Sequence, residues 1–323
     1  MRETVARAAA AGIIGAPSDE QWAMILCRQP LTRIFAGAGS GKSTTLVLRV
    51  VFMLCHLNVE PERLTVISFT NASCAELRER LLKVLGFWQS PVDAQAVRQC
   101  VRTFHSAMGV LAREVLGSPG WFEQLGDKQA SASEPDNPLA GGRLGPAQAR
   151  LLKDAYQACY TDDPAFRGWV HELLGSQPPD PQKALPKAPM QPFRLPGELH
   201  AAPLFEVFYG QAGFIESIGI RIEQLPVAAL ACSPAERAFL LALQVFWKAF
   251  VQELNQQGLL TFNGAFQQLT QRLDDGDERL GADRLAGFSH LLIDEFQDVS
   301  PQIVQWLQVL HRGLGGAGAE PAA

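Results

Sequence analysis

Residues 31–36, LTRIFA, form an apolar-rich run that breaks into GAGSGK. The next stretch, STTLVLRVVFMLCHL, is apolar with few helix breakers. That succession predicts a strand, a glycine-rich turn and a helix. RLTVISFT (63–70) reads as a second strand. NASCAELRERLLKVLGF reads as a helix, with Leu77, Leu81 and Leu85 at four-residue spacing and Asn71 as its N-cap. Residues 96–116 hold a short strand and then another helix. Strands alternating with helices predict an α/β fold with a parallel sheet. The pattern then changes. Residues 126–150 are rich in Gly, Pro, Ser and Asp, and residues 175–203 hold eight prolines in 29 positions. Helical stretches lie between and after them, notably PAERAFLLALQVFWKAFVQELNQQG (234–258). The α/β pattern returns with GFSHLLIDEF. The expected organisation is a lead-in over 1–16, a first α/β part over 17–116, a mostly helical insertion over 117–255, and a second α/β part over 256–323. The proline-rich stretch reads as a surface loop, with a partner-binding tract as the alternative.

The chain of 323 residues is 47% hydrophobic and 19% charged, ordinary values for a globular protein of about two domains. No apolar run reaches the roughly 18 residues of a membrane span, and the first residues lack the apolar core of a secretory signal. The six cysteines form no C-x-x-C pair and none stands near a histidine at zinc-finger spacing, so they read as free thiols of a cytoplasmic protein. The net charge of −5 argues against binding nucleic acid through global charge but leaves room for a local groove. Residues 70–116 carry six Lys/Arg against four Asp/Glu, a local excess of basic groups.

Ala36–Ser43, AGAGSGKS, fits the phosphate-binding pattern G-x-x-x-x-G-K-[ST] except that Ala36 replaces the first glycine. Gly37, Gly39 and Gly41, with Ala38 and Ser40 between them, let the backbone wrap a phosphate and aim its N–H groups at the oxygens. The helix that follows adds favourable potential for an anion. Lys42 is placed to reach the β- and γ-phosphates and the Ser43 hydroxyl to ligate Mg²⁺, with Thr44 beside it. HLLIDEFQD (290–298) complements that cradle. A buried strand would bring Asp294 out at its C-terminal end, where ligands bind in open α/β sheets, to hold Mg²⁺. Glu295 would orient and deprotonate an attacking water. Together the two motifs predict nucleoside triphosphate hydrolysis.

Four further stretches fall in a recognisable order around these two: PSDEQWAMI, VISFTNASCAELRERL, VRTFHSAMGVL and GLLTFNGAFQQL. The succession resembles the first half of a superfamily 1A DNA helicase of the UvrD/Rep type, and the DEFQDVSPQ form leans toward the helicase IV branch. The resemblance covers about residues 17–118 and 255–310. It implies a RecA-like domain 1A interrupted by a helical domain 1B. It also implies ATP with Mg²⁺ as nucleotide and metal, and 3′-to-5′ movement on single-stranded DNA or at a single-strand/duplex junction. Gln21 matches the glutamine that reads the adenine edge. Phe69, Thr70 and Asn71 match a motif whose aromatic stacks on a DNA base, and Thr103, Phe104 and His105 match a second DNA-contacting motif. Gln297 matches the glutamine that links the nucleotide and DNA sites, supported by Asp298 and Gln302. Thr44 stands where many relatives carry arginine, and Thr261 and Asn263 where relatives often carry acids. The resemblance further implies a GD-x-x-Q strand and a second RecA-like domain after this segment, and neither occurs in these 323 residues. The expectation is an amino-terminal portion that binds Mg-ATP weakly, turns it over slowly, and needs a partner's second domain to unwind DNA. A non-catalytic ATP- and single-strand-binding module, or a regulatory component of a larger assembly, is the alternative. An ATPase unrelated to DNA fits the two DNA-contact motifs less well.

Overall fold

Parallel strands buried on both faces need side chains that pack without water, and LTVI supplies them. Leu64–Ile67 (β1) is buried along its whole length. The computed structural model describes residues 1–37, 39–126 and 144–315. Before β1 come helices α1 (Arg2–Ala10), α2 (Asp19–Ile25) and α3 (Lys42–His56). After it come α4 (Asn71–Phe87), α5 (Ala94–Cys100), β2 (Val101–Arg102) and α6 (Phe104–Val115). Far along the chain, β7 (His290–Ile293) returns to pair with β1, and α13 (Pro301–Gly315) follows.

The three strands form one parallel sheet in the order β2-β1-β7. Val66 faces Val101, and Ile67 faces both Arg102 and Ile293. The C-terminal ends of all three strands are therefore level. Ser68, Thr103 and Asp294 leave the sheet side by side. Two backbone bonds fix this, from Ser68 N to the Arg102 carbonyl at 3.2 Å and from Asp294 N to the Ile67 carbonyl at 2.8 Å.

Between α6 and β7 the chain is mostly helical, as its pattern predicts. A two-residue strand, β3 (Gly120–Trp121), leads into α7 (Pro146–Asp162) and α8 (Pro164–Leu173). The short antiparallel pair β4 (Pro192–Phe193) and β5 (Ala202–Pro203) opens into α9 (Leu204–Ser217), then α10 (Pro234–Gln256). Then β6 (Leu259–Leu260) pairs in parallel with β3, and α11 (Phe262–Asp274) and the short α12 (Ala282–Leu285) complete the passage. The core of α7–α10 is aromatic: Tyr156, Phe166, Phe208, Phe246 and Phe250 are fully buried, and Phe246 and Phe250 stack with centroids 6.1 Å apart. A second core packs α3 and α4 against β1, and a third packs α6, α11 and α13 around Phe104, Phe266 and Trp306.

The proline-rich stretch is anchored to α7, where Tyr156 donates to the Pro189 carbonyl at 3.2 Å and Gln157 accepts from Ala188 N at 2.9 Å. Two expectations change. Residues 31–36 form no strand, and Leu31, Ile34 and Phe35 are 88%, 48% and 88% exposed. Their apolar positions do not alternate, so the run lacks the pattern of a half-buried strand, and the outer edge of β7 has no partner strand among the described residues. The cap of α4 is Thr70 rather than Asn71: its side chain accepts from Ser73 N at 3.1 Å. All six cysteines are free, three of them buried.

Candidate nucleotide site and its neighbouring loops

Gly41 adopts φ 79°, a left-handed conformation that favours glycine, and so turns the loop into the first turn of α3. Ser40 N donates to the Gly37 carbonyl at 3.3 Å, and the buried Thr45 hydroxyl donates to the Gly41 carbonyl at 3.1 Å. Lys42 and Ser43 thus begin the helix, half-buried, with Thr44 beside them; Ala36 and Gly37 enter the loop, and Ala38 lies outside the described residues. The expected turn from the glycine-rich stretch into a helix is present at Gly41. The strand that should feed it is not.

Gln21 reaches this loop from α2. Its Nε2 donates to the Ser40 carbonyl at 2.7 Å, while its Oε1 accepts from Ser18 N at 3.0 Å. A Cβ on residue 41 would lie 2.7 Å from Gln21 Nε2. Gln21 therefore stands at the loop, with both amide atoms engaged.

Lys42 and Glu295, 253 positions apart, form a two-pronged ion pair, with Nζ at 2.8 Å from Oε1 and 3.0 Å from Oε2. Gln297 Nε2 donates to the same Oε2. Glu295 sits at φ 51°, a left-handed conformation that costs a non-glycine residue roughly 1–3 kcal/mol. That turn aims its carboxylate back at Lys42 and closes with a bond from Asp298 N to the Glu295 carbonyl at 3.0 Å. The electrostatics follow. Hydrogen bonding to Lys42, and then to Gln297, holds the Glu295 carboxyl below its ordinary pKa. The same contact raises that of Lys42. Burial first, and the neighbouring Glu295 charge second, push Asp294 up.

Asp294 accepts from Glu295 N at 3.1 Å. Asp294 lies half-buried beside the Glu295 charge, in negative potential that a bound cation would relieve. The available donors, Asp294 carboxylate and Ser43 hydroxyl, are hard oxygens that suit Mg²⁺. Among the described residues no group of three or more His, Cys, Asp or Glu could hold a metal by itself.

The other two loops at this end of the sheet carry the remaining candidates. Phe69 is half-buried, as is Asn71, and the Thr70 side chain is used as a cap. Thr103 is 1% exposed and caps α6 through Ser106 N at 3.2 Å. Phe104 is 3% exposed and lies inside the third core, so its ring has no face for a base. The His105 ring packs 4.8 Å from Phe262 and 5.8 Å from Phe266, and burial pushes its pKa down to about 4, so it is neutral. Three of the basic residues are otherwise occupied: Arg78 donates to the Val101 carbonyl, Arg102 donates to the Gln99 carbonyl at 2.9 Å, and Arg80 pairs with Glu76 at 2.6 Å. Gln302 is buried and donates to the Asn263 carbonyl at 3.1 Å, while Thr261 caps α11.

Sequence reasoning misses a pair of buried carboxylates in the stretch between α6 and α10. Glu123 accepts from Phe262 N at 3.0 Å, and burial pushes its pKa up to about 7. Glu216, 3% exposed, accepts from Trp247 Nε1 at 2.9 Å and is pushed up to about 8. Each has one buried oxygen without a hydrogen-bond partner. The only signal is an acid inside an apolar run, WFEQL and FIESI.

A family model described as the UvrD/REP helicase N-terminal domain matches residues 18–315. The chain is also similar to the ATP-dependent DNA helicase PcrA of Leuconostoc citreum, 42% identical over 71 residues, 20% of this chain and 10% of that protein. It is similar to the ATP-dependent DNA helicase Rep of Buchnera aphidicola, 30% identical over 83 residues, 25% of this chain and 12% of that one. A probable DNA helicase II homolog of Mycoplasma capricolum is 32% identical over 90 residues, 28% of this chain and 11% of that one. The matched segments thus span 10–12% of the length of these relatives.

Proposed function

The chain belongs to the UvrD/REP helicase N-terminal domain family, and on that premise we propose that it is the ATP- and single-strand-binding half of an ATP-dependent DNA helicase. The observation that carries the reading is the level sheet end. One edge brings together Lys42, Asp294 and Glu295 and, on the adjacent strand ends, the loops of Phe69 and Thr103. Nucleotide chemistry and strand binding at neighbouring loops is what coupled translocation requires.

In this reading the backbone from Gly37 to Gly41 and the Lys42 ammonium hold the phosphates. Ser43 and Asp294 hold Mg²⁺, which when bound neutralises charge on the phosphate oxygens. Glu295 takes the proton of the attacking water, a task that requires its release from Lys42. Gln21 sets the position of the loop and meets the adenine edge. Gln297 connects the carboxylate to the DNA-side loops. Phe69 is the base-stacking residue. Thr70, Asn71, Thr103 and His105 shape the loop ends, and Phe104 anchors the second motif in the core. Residues 17–116 and 256–323 form the RecA-like unit and 117–255 the inserted one. Movement from 3′ to 5′, unwinding at a single-strand/duplex junction, and a partner that supplies a second RecA-like domain belong to the same proposal. So does a cytoplasmic setting in DNA repair; no helix among the described residues is long and apolar enough to cross a membrane.

Two equilibrium titrations test it. A fluorescent ATP analogue with Mg²⁺ should bind the chain and lose at least about tenfold in affinity in Lys42→Ala, the loss of one charge-assisted contact to phosphate. A labelled single-stranded oligonucleotide should bind and weaken about tenfold or more in Phe69→Ala, the cost of one lost stack of about 1–3 kcal/mol. Binding of neither ligand would overturn the reading.

A further inference from the structure

The head of α11 ties the His105 loop to the end of α9. The His105 ring packs 4.8 Å from Phe262, the first residue of α11. The next residue, Asn263, donates through Nδ2 to the Gly213 carbonyl at 3.2 Å. Its own carbonyl accepts from Gln302 of α13 at 3.1 Å. Phe214, next to Gly213, is 59% exposed, while Phe205 and Phe208 on the same helix are buried. A helix that buries two rings thus leaves a third in water.

A polar cleft opens just beyond it along the chain, where the exit of α9 meets α11 and α13. Its volume is about 160 Å³, room for about five waters at ~30 Å³ each. Gln302 lines it, with Gly219, Arg221, Gln271 and Gln305. Gly219 turns through a left-handed backbone, φ 87°, and a Cβ there would collide with the Gln305 amide. Glycine therefore lets the exit of α9 pass close against α13.

The cleft is short of negative charge. Arg221 is half-buried and forms no salt bridge among the described residues. Its Nη2 donates over long distances, 3.5 Å to the Gln267 carbonyl and 3.3 Å to Gln271 Oε1. Asp274, the acid of the lining, pairs with Arg312 at 3.2 Å. A half-buried guanidinium among neutral amides calls for an oxyanion, and the amides bring further N–H donors to it.

An exposed ring beside an anion cleft is the pairing that holds a single strand, base on the ring and phosphate on the cation. We propose that the end of α9 extends the strand path from the Phe69 and Thr103 loops, with Phe214 stacking on a base and Arg221 holding a backbone phosphate in the glutamine-lined cleft. The inference rests on the single-strand-binding reading above and adds residues to it. Such contacts ignore sequence, since every base has a face and every nucleotide a phosphate. A strand seated there also meets α13, the helix that follows the Glu295 turn, through Gln302 and Gln305.

Anisotropy of a labelled oligothymidylate on the whole chain, across a salt series, tests the path. Phe214→Ala should weaken binding at least about fivefold, the low end of one lost stack, and leave the salt slope unchanged. Arg221→Gln should weaken binding several-fold and lower the salt slope by about one, and Arg221→Lys should restore the slope. On an abasic strand of the same length Phe214→Ala should cost nothing, because there is no base to stack. Unchanged affinity in either variant would overturn the path, which needs ring and cation on one strand. So would an Arg221→Gln loss with an unchanged slope, the mark of a disturbed fold rather than a lost phosphate. Equal displacement by a polyglutamate of matched charge would mark a general anion site and overturn it as well. If Phe69→Ala weakens binding while these two variants do not, the single-strand reading stands and the path falls. If the unaltered chain binds no oligothymidylate, both fall.

Discussion

The helical segment of α7–α10 and the sheet end around the glycine-rich loop are made from similarly apolar sequence and end in opposite states. In α7–α10, Tyr156, Phe166, Phe208, Phe246 and Phe250 are 0% exposed and interlock edge to face and in stacks. Before the glycine-rich loop, Leu31 and Phe35 are 88% exposed, and all four residues of β7 are only half-buried. The first region is a scaffold whose aromatic residues find their partners within it. The second is a face whose groups are held by a few polar contacts, among them Lys42 to Glu295 and Gln21 to Ser40. Composition predicts burial only where a geometric partner is at hand.

Substitutions should break along that line. Phe250→Ala should destabilise the chain by about 3–5 kcal/mol through a cavity in the aromatic core, measured by urea denaturation. Phe104→Ala should cost a similar amount, which would confirm it as an anchor rather than a stacking surface. The same measurement on Phe35→Ser should stay within about 0.5 kcal/mol. A large loss there would show that the exposed run is packed in solution.

The buried carboxylates Glu123 and Glu216 sharpen the contrast through pH. Burial raises the Glu216 pKa in the folded chain to about 8 from an ordinary 4.5, so the folded state holds a proton that the unfolded state has released. Stability is then fully present below about pH 4.5 and is lost as pH rises toward 8, by about 3 kcal/mol between pH 5 and 8. Glu123, at about 7, adds a smaller decline that ends earlier. Glu216→Gln should flatten most of the slope and keep the Trp247 bond. A slope unchanged in that variant would place the buried titration elsewhere.

Smaller effects separate capping from DNA contact. Thr103→Ala should cost about 1 kcal/mol of stability by removing the α6 cap, whereas Thr103→Ser should retain it. Asn71→Ala should cost less than Thr70→Ala, since the threonine is the cap of α4.

Much of this is legible in the residues. The glycine spacing marks the loop-to-helix junction, and the acids at 294 and 295 fall at a strand end because an apolar run must stop where the sheet does. The run 31–36 misleads because period-2 alternation is absent and pairing depends on a neighbour that local sequence does not encode. Phe104 reads as a DNA contact because its motif matches, while its burial depends on Phe262, Phe266 and Trp306, about 160 to 200 positions away. Long-range pairs such as Glu123 with the head of α11 leave almost no local signature.

The most direct measurement is Mg-ATP turnover by the 323-residue chain, with and without single-stranded DNA, beside Glu295→Gln. Turnover should rise when DNA is added and fall about 10²–10⁴-fold in the variant, as loss of a general base should. Turnover that ignores both DNA and Glu295 would contradict the proposed coupling, because the shared sheet end would then couple nothing.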